Sequence, residues 1–273
     1  SFRLGEGPHF VVEGDEYDTA FFDKTPKFLH YGAQTLLISS VEFDHADIYR
    51  DLDHVKEAFR TLVSRLPASG TLVAATSHAG VADVVDKAPC RLVPYRVGAL
   101  AGPGFAADSL EARPEGTRFR LRVDGVDVAR ALLPMHGRHN VENAVGALVV
   151  VASLGVPLTD AVAALPGFRG VKRRQEVRGE VNGITVIDDF AHHPTAVRET
   201  VAGLRERHRG RRLVSIFEPR TNTSRRRVFQ EDYARAFDGS DCVIVARVAD
   251  APIYSATGEV TERFSADELV GDL

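Results

Sequence analysis

The stretch FVVEGDEYD, residues 10–18, places Glu13, Asp15, Glu16 and Asp18 directly behind three apolar residues. Like charges crowded this closely repel one another, and a solvated loop rarely needs so many at a strand end. The run therefore asks for a positive object. A second run, SSVEFDHADIY, carries Glu42, Asp44, His45 and Asp47. If both runs end adjacent strands, a carboxylate from one and an imidazole from the other could hold Mg²⁺ beside phosphates. Magnesium usually takes one or two protein carboxylates and leaves its other positions to water and phosphate oxygens. Folds that hydrolyse nucleotides put a strand-end acid on the metal in this way. The plainer reading is a solvated acidic loop leading into a helix N-terminus, where acids favour the dipole. Spacing alone leaves both open.

Other constellations lie further along. In MHGRHNVENAVGAL, Asn140 and Asn143 stand three apart near a helix start and share a face. Carboxamides both donate and accept, so they can read an adenine edge; the alternative is that Asn140 is an N-cap. FRGVKRRQEVRGE, residues 168–180, is densely basic. Its Arg forks suit phosphate or carboxylate, or they are a solvated surface. No aromatic residues are interleaved, which argues against nucleic acid. VIDDFAHHPTAV ends a strand on Asp188 and Asp189, then gives His192, His193 and Pro194 at a helix start. Asp189 could hold a ribose hydroxyl and either His could meet phosphate. The alternative is a helix cap with exposed histidines, and zinc fits poorly because no Cys is near. FEPRTNTSRRR, residues 217–227, places Arg220 and Asn222 in a loop suited to a carboxylate.

The elements that must carry these residues follow from periodicity. PHFVVE, TLLISSVE (35–42), GTLVAAT (70–76) and CRLVPYRV read as strands. LDHVKEAFRTLVSRL (52–66) has helical apolar spacing, and GVADVVDKA is a second helix. Continuous apolar strands separated by helices predict a mostly parallel sheet covered on both faces, and ligands gather at the carboxyl ends of such strands. Residues 117–134 alternate around Asp124-Gly125 and predict an antiparallel hairpin added to that sheet. A helix over 139–155 ends at Gly155, and a short one stops at Pro166-Gly167. Beyond it come a hairpin turning at Asn182-Gly183, then helix, strand, helix, strand and helix, which predicts a smaller Rossmann-like α/β domain. The expected division is 1–168 and 169–273.

Size and composition bound the rest. The chain has 273 residues, 44% hydrophobic and 26% charged, enough for a real core in two domains. A formal charge of -4 predicts no general affinity for nucleic acid or anionic membrane. Cys90 and Cys242 lie far apart in apolar runs and read as buried free thiols, which suits a cytosolic setting. No apolar run is long enough to span a bilayer. The chain starts without methionine and its last helix leads to no strand, so both ends read as cut.

Taken in order, VVEGDEYDTAFFDK, SSVEFDHADIY, GRHNVENA, RRQE, IDDFAHHPT and EPRTNT resemble the Mur ligases, ATP-dependent amide-forming enzymes of peptidoglycan synthesis. The resemblance implies a central ATPase domain followed by a C-terminal domain. It departs from the family in lacking the preceding UDP-sugar domain and the G-x-x-G-K-T/S phosphate loop, so the stretch reads as a fragment, inactive by itself. EYDTAFFDK, EFDHADI, DDFAHHPTA and the EPR…NT loop favour the member that joins UDP-N-acetylmuramate to L-alanyl-γ-D-glutamyl-meso-diaminopimelate in peptidoglycan recycling. The alternatives are the L-alanine-adding member, a folylpolyglutamate-type relative, and a non-catalytic nucleotide- or peptide-binding module.

By the resemblance, Glu13 and His45 would hold Mg²⁺, and Asp15 and Asp44 would support them or orient the amine. Asn140 and Asn143 would read adenine. Arg174 and Asp189 would contact the ATP when the domains close, His192 and His193 would follow that strand, and Arg220 and Asn222 would face the peptide. Some relatives carry a carbamylated Lys beside the metal; Lys56 and Arg60 lie in the corresponding helix. The protein would be cytoplasmic, and a monomer or weak homo-oligomer.

Overall fold

The computed structural model describes residues 5–20, 22–248, 252–256 and 259–273. Its largest element is a six-stranded sheet in chain order. Strands β1 (Thr35–Ile38), β2 (Thr71–Ala74), β3 (Arg91–Val97) and β4 (Phe105–Arg113) run parallel. Strands β5 (Gly116–Val123) and β6 (Val126–Leu133) add antiparallel pairs.

The β2 sequence explains why the sheet is covered twice. Leu72 and Ala74 point to one face, into a core with α1 (Leu52–Ser64) and α2 (Ala79–Val85). Val73 and Ala75 point to the other, against Val141, Val145 and Val149 of α3 (Arg138–Ser153). All four are fully buried, and a side chain of Val or Leu size contributes about 2 kcal/mol when so placed. Helix α1 starts at Asp51, whose carboxylate accepts from the His54 amide at 2.8 Å. Helix α3 comes unusually close to the sheet at Gly146, where a Cβ would lie 2.8 Å from the Tyr95 hydroxyl and 3.1 Å from Leu37. A short α4 (Leu158–Ala164) follows, with a 3₁₀ turn at Leu165–Gly167.

The second unit has its own core of Val197, Val201, Phe217, Tyr233, Phe237 and Leu269. It holds an antiparallel pair, β7 (Glu176–Val181) and β8 (Ile184–Asp188), and a parallel pair, β9 (Val214–Phe217) and β10 (Cys242–Val245). Helices α5 (Pro194–Arg207), α6 (Gln230–Ala236) and α7 (Ala266–Asp272) pack around them. Both predicted hairpin turns form. Asp124 and Gly125 have φ of 50° and 81°, Asn182 and Gly183 of 50° and 76°, the paired positive values of the type I′ hairpin turn.

Four expectations change. PHFVVE is not a strand: residues 8–13 lie outside every sheet, with Phe10 90% and Val11 87% exposed. A strand needs a neighbour to take its backbone hydrogen bonds, and no strand pairs with this run among the described residues. The antiparallel addition is larger than a hairpin, because β4 joins it. FAADSLEAR hides its strand character behind a register break between Asp108 and Glu111, where Ser109 takes φ 52°. Cys90 and Cys242 are free but only half-buried. Asn140 is not an N-cap: Gly137 holds that place, and the Asn140 amide donates to the His136 carbonyl at 2.7 Å.

Candidate active-site cleft

After β1 the chain continues through Ser39–Ser40 into residues 41–47, at the carboxyl ends of the parallel strands. His45 takes φ 51° there, a left-handed conformation that costs a non-glycine residue roughly 1–2 kcal/mol. The surroundings over-determine it. Its amide donates to Asp44 Oδ1 at 2.7 Å, and its Nε2 meets Glu16 Oε1 at 2.7 Å. The Tyr17 ring stands edge-on at 4.3 Å between centroids. Burial alone would lower the His45 pKa, but the Glu16 hydrogen bond and the charges of Asp44, Glu16 and Asp47 outweigh it and hold the imidazole above its ordinary value. Burial, with Asp47, Asp44, Glu16 and Asp15 nearby, pushes the Tyr17 phenol up to about 12.

Beside this loop opens a cleft of about 1700 Å³. Of the residues singled out in the sequence, Glu13, Asp44, His45, Asn140, Asn143, Arg174, Asp189 and His193 line it. The first six-stranded unit and the second unit thus contribute to one space. Asn143 is exposed in it, whereas Asn140 has spent one amide hydrogen on His136. Arg174 is exposed and its guanidinium lies over the Phe190 ring at 5.6 Å.

Several residues are placed differently from the expectation. Asp15 does not line the cleft; its carboxylate accepts from the Tyr17 amide and meets Lys27 at 3.5 Å. Asp189 lines the cleft but is already engaged, accepting from the Gln175 and Ala191 amides at 2.8 and 2.7 Å. It fastens the start of β7 to the end of β8. His193 caps α5: its Nδ1 accepts from the Thr195 amide at 3.3 Å, so its Nε2 carries the proton and donates to the Phe43 carbonyl at 3.1 Å. His192 does not line the cleft, and its Nε2 stands 3.9 Å from Asp44. Arg220 is exposed outside the cleft. Asn222 turns away from it, donating to Asp47 at 3.2 Å and accepting from Arg225 at 3.2 Å. Lys56 pairs with Asp83 at 2.8 Å and Arg60 donates to the Asp83 carbonyl, so both join α1 to α2 outside the cleft.

Other residues, given no role of their own in the sequence, also line the cleft. Glu42 accepts from Thr195 Oγ1 at 2.6 Å across the two units. Glu142, between the two asparagines, holds His78 at 2.8 Å and Ser77 at 3.3 Å. Gln175 is 8% exposed and lines the cleft. The signal for Glu16 and Glu42 was present in the two acid runs. Gln175 lay within the RRQE motif, whereas His78 carried no signal, because only the fold brings its loop to Glu142 of α3.

Whether these residues suit Mg²⁺ can be judged from the donors present. Among the described residues no group of three or more His, Cys, Asp or Glu side chains is arranged as a metal cage. Glu13, Glu16 and His45 nevertheless line one cleft, and a cation carried with phosphates needs only one or two protein ligands. The donors are of the type such an ion takes, with Glu16 Oε1 2.7 Å from His45 Nε2.

The fold and the cleft define an α/β class in which a parallel-sheet unit and a smaller unit line a shared space. Comparison with known proteins is more specific. Residues 10–151 match the Mur ligase middle domain and residues 173–269 the Mur ligase glutamate ligase domain. The chain belongs to the Mur ligase family. It is 38% identical over 251 residues to the UDP-N-acetylmuramate–L-alanyl-γ-D-glutamyl-meso-2,6-diaminoheptandioate ligase of Haemophilus influenzae, covering 90% of this chain and 53% of that protein. It is 32% identical over 260 residues to the UDP-N-acetylmuramate–L-alanine ligase of Desulfotalea psychrophila, covering 95% and 54%. The crystal structure of a murein peptide ligase from Psychrobacter arcticus superposes with a TM-score of 0.61 at 33% identity, covering 87% of this chain and 48% of that one. The chain spans about half the length of the curated relatives it matches.

Proposed function

We propose that this chain is the middle and C-terminal part of an ATP-dependent ligase that joins UDP-N-acetylmuramate to L-alanyl-γ-D-glutamyl-meso-diaminopimelate, with the division at 168/169. The observation that carries the reading is the shared cleft, where Glu13, Asp44 and His45 of the first unit face Arg174, Asp189 and His193 of the second. The higher identity to the tripeptide-adding relative than to the L-alanine-adding one supports the substrate.

The chemistry is carboxylate activation. The muramate carboxylate takes the γ-phosphoryl of ATP, giving an acyl phosphate and ADP. The peptide amine, having lost its proton, attacks the acyl carbon, and the tetrahedral adduct expels phosphate to leave the amide. Such transfers need positioning and charge neutralisation above all. Asn143 presents an amide to the base, and Arg174 presents a guanidinium to phosphate oxygens. Glu13, Glu16 and His45 would hold Mg²⁺, which when bound neutralises phosphate charge. Asp189 sets the β7 and β8 backbone rather than offering a free carboxylate, and Asn222 holds the interface rather than the peptide.

The test is ligation by the protein encoded by the complete reading frame around this chain. ATP-dependent amide formation is expected with UDP-N-acetylmuramate and the tripeptide. A preference for free L-alanine would replace the reading with the alanine-adding one. Calorimetry of the 273 residues with ATP and Mg²⁺ is expected to show weak binding and no turnover, because the sequence holds no G-x-x-G-K-T/S loop to cradle the phosphates.

A further inference from the structure

The loop that presents His45 is held by residues from far along the chain. The Ala46 amide donates to Thr223 Oγ1 at 3.1 Å, in a buried bond between positions 177 residues apart. The Ala46 carbonyl accepts from the Arg226 guanidinium. Asp47, only 6% exposed, accepts from the Asn222 amide. Thr223 itself is 3% exposed. The loop around it is internally tied: Thr221 and Ser224 exchange hydrogen bonds at 2.8 to 3.2 Å. Phe43, on the other side of His45, packs edge-on against Phe229 at 6.2 Å.

These contacts bracket one residue. Positions 46 and 47 are clamped from the second unit, and position 45 is in the left-handed conformation. A loop free of the clamp would relax toward the ordinary right-handed or extended regions, and the imidazole would turn from Glu16 and the cleft. We infer that Thr223, supported by Asn222 and Arg226, is a positioning residue: by docking on Ala46 and Asp47 the second unit fixes the backbone that aims His45 at the cation. The inference rests on the ligase reading for what His45 binds. It adds that cation affinity and docking of the two units are coupled, and such coupling is reciprocal.

The test uses the whole chain with Mn²⁺ as probe. Binding is read by electron paramagnetic resonance, and the Ala46 amide by hydrogen exchange. Thr223→Val keeps the shape and removes the acceptor; Thr223→Ser keeps the acceptor. In Thr223→Val, Mn²⁺ affinity is expected to fall about tenfold, within the usual range of intersite coupling, while Ala46 exchanges faster. Thr223→Ser is expected to restore both. If Thr223→Val does not fold, Asn222→Ala takes its place with the same expectations. Unchanged Mn²⁺ affinity alongside faster Ala46 exchange would show a purely structural clamp and overturn this inference while leaving the ligase reading standing. Absence of Mn²⁺ binding by the unsubstituted chain at millimolar concentration would overturn the cation assignment and this inference together.

Discussion

Glu13 and His45 come from two acid runs that look alike in sequence, yet their surroundings differ. Residues 41–47 lie against the sheet, with Val41 and Ala46 buried and Thr223, Asn222 and Arg226 docked on them. Residues 10–13 are exposed, outside every sheet. The runs meet through Glu16, which bonds His45, and through Tyr49, whose hydroxyl donates to the Glu16 carbonyl at 3.1 Å. Residue type sets what a position can bind. Only packing from distant parts of the chain sets whether it is held ready to do so.

Glycines give the hardest test of this contrast. A Cβ on Gly80 would lie 2.1 Å from the Val41 carbonyl oxygen, at the base of the clamped run, whereas one on Gly14 would meet nothing nearer than 3.8 Å. Gly80→Ala is expected to destabilise by about 3 kcal/mol in chemical denaturation, in the range of core overpacking, and Gly14→Ala by less than about 0.5 kcal/mol. Equal effects would erase the distinction. Tyr49→Phe removes one bond between the two runs from a side chain 3% exposed, with an expected cost of about 1 kcal/mol.

A pH series sharpens the comparison on the opposite wall. Burial is the main cause that holds the His139 pKa below its ordinary 6.5, against the pull of Glu199 and Asp189. The unfolded chain then binds the proton more readily than the folded one. Stability is expected to fall as pH drops through 6.5 toward the folded value, and to be retained above it. His139→Gln should flatten that part of the melting-temperature profile. The smallest effect on stability belongs to Glu13→Gln: loss of an exposed carboxylate should change stability by less than about 0.5 kcal/mol, while weakening Mn²⁺ binding.

Much of the fold was readable. The β2 run is apolar on consecutive positions because both faces are covered, and the Asp-Gly and Asn-Gly turns name their own hairpins. What failed was local pattern without a partner: PHFVVE has the composition of a strand and no strand to pair with among the described residues. Strand β4 failed in the opposite way, its alternation broken by a bulge. In the cleft, residue types pointed to Asn143, Arg174 and His45. They could not show that Asp189 and Asn222 spend their polar atoms on the protein itself, because neither a bond to a backbone amide, as at Asp189, nor one to a carboxylate 175 residues away, as at Asn222, leaves a trace in spacing.

Gly146 carries one more implication. It sits on α3 beyond Asn143, and the space a methyl group would need there is taken by the Tyr95 ring and Leu37. The missing side chain lets the helix sink toward the sheet, which sets how far Asn140 and Asn143 stand from the cleft floor. The reach of two polar residues is thus governed by an apolar seat about one to two turns away, and a helix with alanine there would ride higher and carry both amides out of line.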